Sequence, residues 1–221
     1  MKRELFLFVV VYIMAYGNAS FCQTLNGHEY VDLGLPSGTK WATCNIGATK
    51  ETDYGDYFAW GETEPKDEYS WDTYAVEDVV KLPDSLYVDK DGFTHTLEGP
   101  EINNIAGTPF DAATANWGNG WRMPTKEEYE ELLYECEWVW VSKNGVNGLK
   151  CTGSNGNYIF LPAAGIRSGS SLLYADSDGC YWSSSLHYRL YDAWSVDYTS
   201  VRLNLINMYR DVGRSVRAVC Q

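Results

Sequence analysis

Alternation of apolar and polar positions is the clearest pattern in the C-terminal part of the chain. From Trp194 to Thr199, Trp194, Val196 and Tyr198 fall on one face and Ser195, Asp197 and Thr199 on the other. That period of two predicts a half-buried strand. Val201, Leu203 and Leu205 repeat it, with Arg202 and Asn204 facing the other way. In this reading the apolar set anchors the segment and the polar set forms one outward surface. An exposed polar face is also the default for an antiparallel strand, so the pattern alone leaves an ordinary solvated sheet open.

Upstream the pattern changes. Val31, Leu33 and Leu35 alternate with polar neighbours, Leu35-Pro36-Ser37-Gly38 signals a turn, and Lys40 to Asn45 predicts a second strand, together a hairpin. Tyr54 to Glu62 reads as a packed aromatic loop. Thr63 to Pro109 is an acidic excursion of weak periodicity, with a short hairpin expected near Tyr87-Val88 and Phe93-Thr94-His95. The strongest helix runs from Thr125 to Cys136. Thr125 and Glu128 make a capping box, and Tyr129, Leu132, Leu133 and Cys136 form one apolar stripe. The apolar run Trp138-Val139-Trp140-Val141 follows, then turns at Asn144-Gly145 and Asn147-Gly148. Strands at Gly148–Thr152 and Tyr158–Pro162 come next, divided by Asn155-Gly156. Short strands with glycine turns after one helix predict an α+β fold.

Composition sharpens this picture at both ends. Lys2 and Arg3 precede the apolar run Leu5–Ala15, the pattern of a signal peptide over residues 1–22, with cleavage after Ala19 or Cys22. Residues 23–221 then form a single domain with an acidic insertion at about 63–110, and no other segment reads as a membrane span. The protein is expected to be exported, to the periplasm, the cell surface or the medium. The formal net charge of −13 argues against nucleic acid as a partner. The tail inverts that balance: none of the nine Lys or fifteen Glu lies beyond Lys150, while Arg189, Arg202, Arg210, Arg214 and Arg217 all lie within it. Tyr, Asp, Asn and Ser abound there, as on adaptable binding surfaces.

Catalytic and metal signals are weak. The three His are His28, His95 and His187, and no Gly-x-Ser-x-Gly elbow accompanies them. Asp89-Lys90-Asp91-Gly92 and Asp176-Ser177-Asp178-Gly179 are half of a calcium loop without the later bidentate Glu, and read as plain turns. The six Cys contain no Cys-x-x-Cys, and their spacing alone does not fix a pairing. Neither a cofactor nor a metal is expected.

Four segments carry a resemblance: Trp117-Gly118-Asn119-Gly120-Trp121-Arg122-Met123-Pro124-Thr125, Phe160-Leu161-Pro162-Ala163-Ala164-Gly165, Tyr181-Trp182-Ser183-Ser184-Ser185 and Gly213-Arg214-Ser215-Val216-Arg217. In this order they resemble the Fibrobacter succinogenes major paralogous domain over residues 27–220, the excursion excepted. The resemblance implies a C-type-lectin-like fold, shared with formylglycine-generating enzymes. Some members resemble variable proteins of diversity-generating retroelements, in which template adenines are randomised within a C-terminal segment. Randomising the first two bases of a codon ending in a pyrimidine never yields Lys, Glu, Gln, Trp or Met. Leu186 to Val212 holds no Lys, Glu or Gln, so Trp194 and Met208 must be fixed framework positions on this reading.

The resemblance thus implies a non-enzymatic protein that binds a protein or a glycan. The expected binding residues are His187, Tyr188, Arg189, Tyr191, Asp192, Ser195, Asp197, Thr199, Arg202, Asn207, Tyr209 and Asp211, with Tyr188, Tyr191 and Tyr209 as anchors and Arg189 and Arg202 as forks. Leu186, Leu190 and Ile206 remain either randomised or buried. A fixed adhesive envelope protein is one alternative. A formylglycine-generating-type enzyme is another, but it implies a metal-binding cysteine pair where Cys220 stands alone. Calcium lectins imply a Glu-Pro-Asn tripeptide, from which Glu64-Pro65-Lys66 departs at its third residue. Cys44 with Cys220 and Cys151 with Cys180 are the disulfide candidates.

Overall fold

The computed structural model describes residues 23–76, 86–88, 94–96, 103–189 and 191–221. The expected signal peptide with Cys22, the Asp89-Lys90-Asp91-Gly92 turn, Phe93 and Leu190 lie outside the described residues. The strands, in chain order, are β1 (Gln23–Leu25), β2 (His28–Asp32), β3 (Lys40–Ala42), β4 (Leu86–Val88), β5 (Thr94–Thr96), β6 (Glu137–Lys143), β7 (Val146–Thr152) and β8 (Tyr158–Pro162). They continue as β9 (Ile166–Ser168), β10 (Ser171–Leu173), β11 (Gly179–Leu186), β12 (Asp192–Thr199), β13 (Arg202–Tyr209) and β14 (Val219–Cys220). Two α-helices are described, α1 (Ala112–Trp117) and α2 (Lys126–Glu135). Pairing between these strands is antiparallel throughout. The described architecture is therefore largely antiparallel β with two helices.

The two ends of the described chain share one sheet, ordered β1-β2-β3-β14. The expected hairpin is present as β2 and β3, with Asp32 opposite Lys40. The short hairpin expected in the acidic excursion is β4 with β5, in which Tyr87 pairs with His95. Helix α2 forms as its capping box dictates: Thr125 Oγ1 accepts from the Glu128 amide, and Glu128 Oε2 accepts from the Thr125 amide at 2.9 Å. Glu128 also takes a two-pronged contact from Arg122, at 2.5 and 2.6 Å, and a hydrogen bond from Thr39. Helix α1 has no apolar stripe to announce it. It starts at Asp111, whose buried carboxylate accepts from the amides of Ala113, Thr114, Gly107 and Met123.

One expected turn is corrected. Asn147-Gly148 lies inside β7, not at a hairpin tip. A Cβ on Gly148 would sit 2.2 Å from the Leu161 carbonyl oxygen. The glycine permits close approach of β8, as it does where a backbone must pass near another strand.

Sheet β11-β12-β13 lies between two cores. On one face Tyr181, Val196 and Tyr198 pack with Tyr129 and Leu132 of α2, Leu149, Cys151, Ile159 and Leu161. On the other, Trp182 and Ala193 pack with Phe58, Trp60, Trp121, Met123 and Val216. The Ser183-Ser184-Ser185 run breaks the ladder between Trp182 and Leu186 and turns to other partners. Ser184 N donates to Pro124 O, Ile105 N to Ser184 O, and Lys126 N to Ser185 Oγ, which fills an orphan donor of the α2 N-terminus.

The Phe160–Ala164 run supplies carbonyls to buried polar tips. Phe160 O accepts from Arg217, Leu161 O from Tyr198, Pro162 O from Tyr181 and Tyr198, and Ala164 O from Tyr57. Arg217 is fully buried. Its guanidinium donates to Asn45 Oδ1 at 3.0 Å, Ala42 O at 3.1 Å, Thr43 O at 3.3 Å and Phe160 O at 2.9 Å. Replacing Arg217 by Met strands these acceptors without water, so we expect a loss of about 3 kcal/mol or more in urea unfolding. Arg217→Lys, which keeps the charge but not the planar fork, recovers only part of it.

Candidate functional site

The tail is a hairpin. Strands β12 and β13 pair from Asp192 opposite Tyr209 to Thr199 opposite Arg202, leaving Ser200-Val201 at the tip. Of the twelve expected binding residues, Tyr188, Arg189, Tyr191, Arg202 and Tyr209 are exposed. The three tyrosines are 79%, 52% and 58% exposed. Asp197, Thr199 and Asn207 are half-buried, while His187, Asp192, Ser195 and Asp211 are buried.

Ser195 and Asp197 therefore do not form an outward surface. Arg214, itself buried, reaches across from the segment after β13. Its Nη1 donates to Ser195 Oγ at 2.8 Å and to Asp197 Oδ1, and its Nη2 to Asp197 Oδ2 at 3.2 Å. Ser195 Oγ also donates to Asp197 Oδ1, and the guanidinium lies 5.1 Å from the Trp182 ring centre. This is a paired, hydrogen-bonded charge in the interior, which the strand's alternation does not reveal. The alternation expected an exposed face; both faces of β12 are covered. Val201, assigned to the apolar anchor, is 92% exposed at the hairpin tip. Leu203 and Leu205 do pack against the α2-side core. Leu186 and Met208 pack against the opposite core.

Residues 187–192 connect two aromatic groups. In the first, His187 lies 4.0 Å from Tyr188 and 4.6 Å edge-on from Trp194, between ring centres, and Lys126 Nζ lies 4.9 Å from the Trp194 ring. His187 Nδ1 accepts from the Arg189 amide, which requires an unprotonated nitrogen. Burial lowers the His187 pKa, with Arg189 acting in the same direction and Asp192 opposing. In the second group, Tyr191 meets Trp71 edge-on at 5.7 Å. Beneath them the buried Arg210 guanidinium is boxed by Trp60, Trp71 and Tyr74 at 5.3–5.9 Å. Its Nη1 donates to the Tyr74 hydroxyl at 3.3 Å, and among the described residues its Nε and Nη2 have no acceptor. Asp192 Oδ2 accepts from Asn207 Nδ2 at 2.6 Å, which ties the two strands at this end. Asp211 is buried, and burial raises its pKa.

Trp71 and Lys126 carry no local signal of this role, because the tail residues they meet, Tyr191 and Trp194, lie more than sixty residues away along the chain. Asn204 is exposed beside Arg202 and belongs to the same surface. A concavity of about 380 Å³ exists elsewhere, lined by Glu62, Lys66, Thr73, Val76, Pro109 and Phe110, and the tail contributes nothing to it.

The expected disulfides are not formed; all five described cysteines are free thiols. Cys180 pairs with Asp197 on the ladder and turns its Sγ to that carboxylate at 3.6 Å, on the face opposite Cys151. Cys44 Sγ donates to Ala48 O, and Cys220 sits in the core opposite Lys40. Burial raises the pKa of the Cys220 thiol, away from thiolate character. The Asp176-Ser177-Asp178 segment is a turn: Asp176 Oδ1 accepts from the Asn147 amide, and Ser177 Oγ donates to Asp178. Among the described residues no three His, Cys, Asp or Glu side chains gather as a metal site, and no described helix is long and apolar enough to cross a membrane.

No protein-family model matches the chain, and neither a curated protein nor a solved structure does.

Two outcomes test this division into framework and surface. Asp197→Ala leaves Arg214 buried without its carboxylate and lowers stability by about 3 kcal/mol in denaturant titrations, whereas Tyr188→Ala and Tyr209→Ala stay within about 0.5 kcal/mol of the parent. For His187, an NMR titration is expected to give a midpoint below that of an ordinary imidazole, because burial disfavours its charged form. The unfolded chain then takes up that proton first. The His187 contribution to stability is full above about pH 6.5 and is lost as pH falls toward the folded value, and His187→Gln removes that acid-side loss.

Proposed function

We propose that this is an exported, non-enzymatic binding protein of C-type-lectin-like fold, whose segment 186–212 presents a recognition surface for a protein or glycan, diversified by a retroelement. One observation carries this reading. Trp194 and Met208 are the two residues of the segment that randomised pyrimidine-ending codons never encode. Met208 packs against a core and Trp194 is held between His187 and Lys126. The exposed positions described in the segment, Tyr188, Arg189, Tyr191, Ser200, Val201, Arg202, Asn204 and Tyr209, all belong to the encodable set.

Further support comes from the arrangement around the segment. The four segments that carry the family resemblance serve as framework: Trp121 and Met123 in one core with Trp182, the Phe160–Ala164 carbonyls as acceptors, and Arg214 and Arg217 as buried donors. A sheet that joins the two ends of the described chain also suits a lectin-like domain. Exposed tyrosines over rigid neighbours supply contact area at low entropic cost, and Arg189 and Arg202 supply charge. The apolar N-terminal run supports export.

Sequencing the region that encodes residues 186–212 across many cells of one population, with its flanking DNA, tests the proposal. The expected result is variation at positions 188, 189, 191, 202, 204 and 209, with Trp182, Trp194, Met208, Arg214 and Arg217 constant and a template copy nearby. An invariant segment with no template copy sinks the diversified reading and leaves a fixed adhesive protein. Ligands recovered from a glycan array or a displayed peptide library are expected to lose about tenfold in affinity with Tyr188→Ala or Tyr209→Ala.

A further inference from the structure

Cys136 and Cys151 stand apart from the other thiols. Cys136 is the C-cap of α2, one residue before β6 begins. Cys151 lies in β7, with Trp138 opposite it and Glu137 opposite Thr152. Cys136 and Trp138 are two residues apart at the head of one strand, so Cys136 falls diagonally across the ladder from Cys151 and on the same face. Both belong to the core built around Leu132, Leu149 and Tyr129. Each thiol shifts the other's proton affinity, as neighbours on one face of one core do. Among the described residues, the other three cysteines have no such thiol neighbour: Cys44 faces Ala48 O, Cys180 faces Asp197, and the charged neighbours of Cys220 are Lys40 and Arg122.

We propose that Cys136 and Cys151 are a redox-competent dithiol that a small-molecule disulfide such as oxidised glutathione converts to an intramolecular disulfide. Cys136, half-buried, is the entry point, and Cys151 is buried beneath it. The Cys136 thiol is held below its ordinary pKa by the Cys151 hydrogen bond, against burial, while burial pushes Cys151 up. The Cys136 thiolate attacks one sulfur of the oxidant, forms a mixed disulfide and expels one glutathione thiolate. Cys151 then gives its proton to solvent base and attacks the Cys136 sulfur, expelling the second glutathione. Two protein thiols lose two electrons and two protons, and one glutathione disulfide becomes two thiols. The new bond ties the end of α2 to β7, beneath the helix that supports β11, β12 and β13. It rests on the fold alone and stands whether or not the tail is diversified.

The test uses the purified full chain incubated with oxidised glutathione, then alkylated and digested with trypsin without reduction. Cleavage after Lys143 and Lys150 places Cys136 and Cys151 on separate peptides, apart from Cys44, Cys180 and Cys220. The expected product is one linked pair of those two peptides, and a Tm raised by roughly 5 °C over the reduced protein. Cys136→Ser, a change at a half-buried position, abolishes both the linked pair and the Tm difference. Glutathione left on Cys136 with no link to Cys151, or a dominant link to any other cysteine, overturns the proposal.

Discussion

Arg217 is a buried cation whose acceptors are all neutral. A guanidinium removed from water is tolerated only where its donors are met in their own plane, and here they are met by Asn45, the carbonyls of Ala42 and Thr43, and that of Phe160. Those acceptors come from the end of β3, the loop after it and the strand β8. The geometry of one side chain thus fixes where two separate sheets meet. It also fixes the segment that carries it, so Arg214, three residues earlier, arrives at Asp197 and Ser195. The hairpin of β12 and β13 is held by this chain of contacts at one end and by the Arg210 box at the other.

The helix α2, the β2–β3 hairpin, the excursion's short hairpin and the β12–β13 strands were legible because each rests on local signals: a capping box, a turn tetrapeptide, alternation. What was not legible depends on partners distant along the chain. Alternation placed Ser195 and Asp197 on an outer face because a half-buried strand is the common case. It could not register that Arg214 and Trp182 cover that face. The turn signal at Asn147-Gly148 failed for the same kind of reason: the glycine answers the approach of Leu161 and Phe160, not a local reversal. Helix α1 is too short to display a stripe, and its start is set by Asp111, whose four donors span residues 107 to 123. The exposed tyrosines were found because they need no partner to be seen.

The division of labour in the tail follows from these contacts. Three of its five arginines, Arg210, Arg214 and Arg217, are internal, and the basic character that sets the tail apart is largely a property of the core. The outward chemistry is left to Tyr188, Arg189, Tyr191, Arg202, Asn204 and Tyr209, which make few demands on the fold. Motif residues and surface residues interleave along the chain yet do not share tasks. Behind this rim Asp192 is bonded to Asn207 and His187 packs on Trp194, while Tyr188 rests on His187 and Tyr191 on Trp71.

The sheet β1-β2-β3-β14 has a mechanical consequence. In its register, Asp32 faces Lys40 and Lys40 faces Cys220, while Gln23 faces Tyr30. Strands β1 and β14 run in opposite directions, so the backbone enters at Gln23 and departs at Gln221 from the same end of the sheet. A pulling force applied through both ends would load the ladders from one end, opening them a pair at a time instead of shearing all pairs together. The first rungs to part would be the β1–β2 ladder at one edge and, at the other, the β14 pairs with β3 together with the Val219–Arg122 bridge that flanks them.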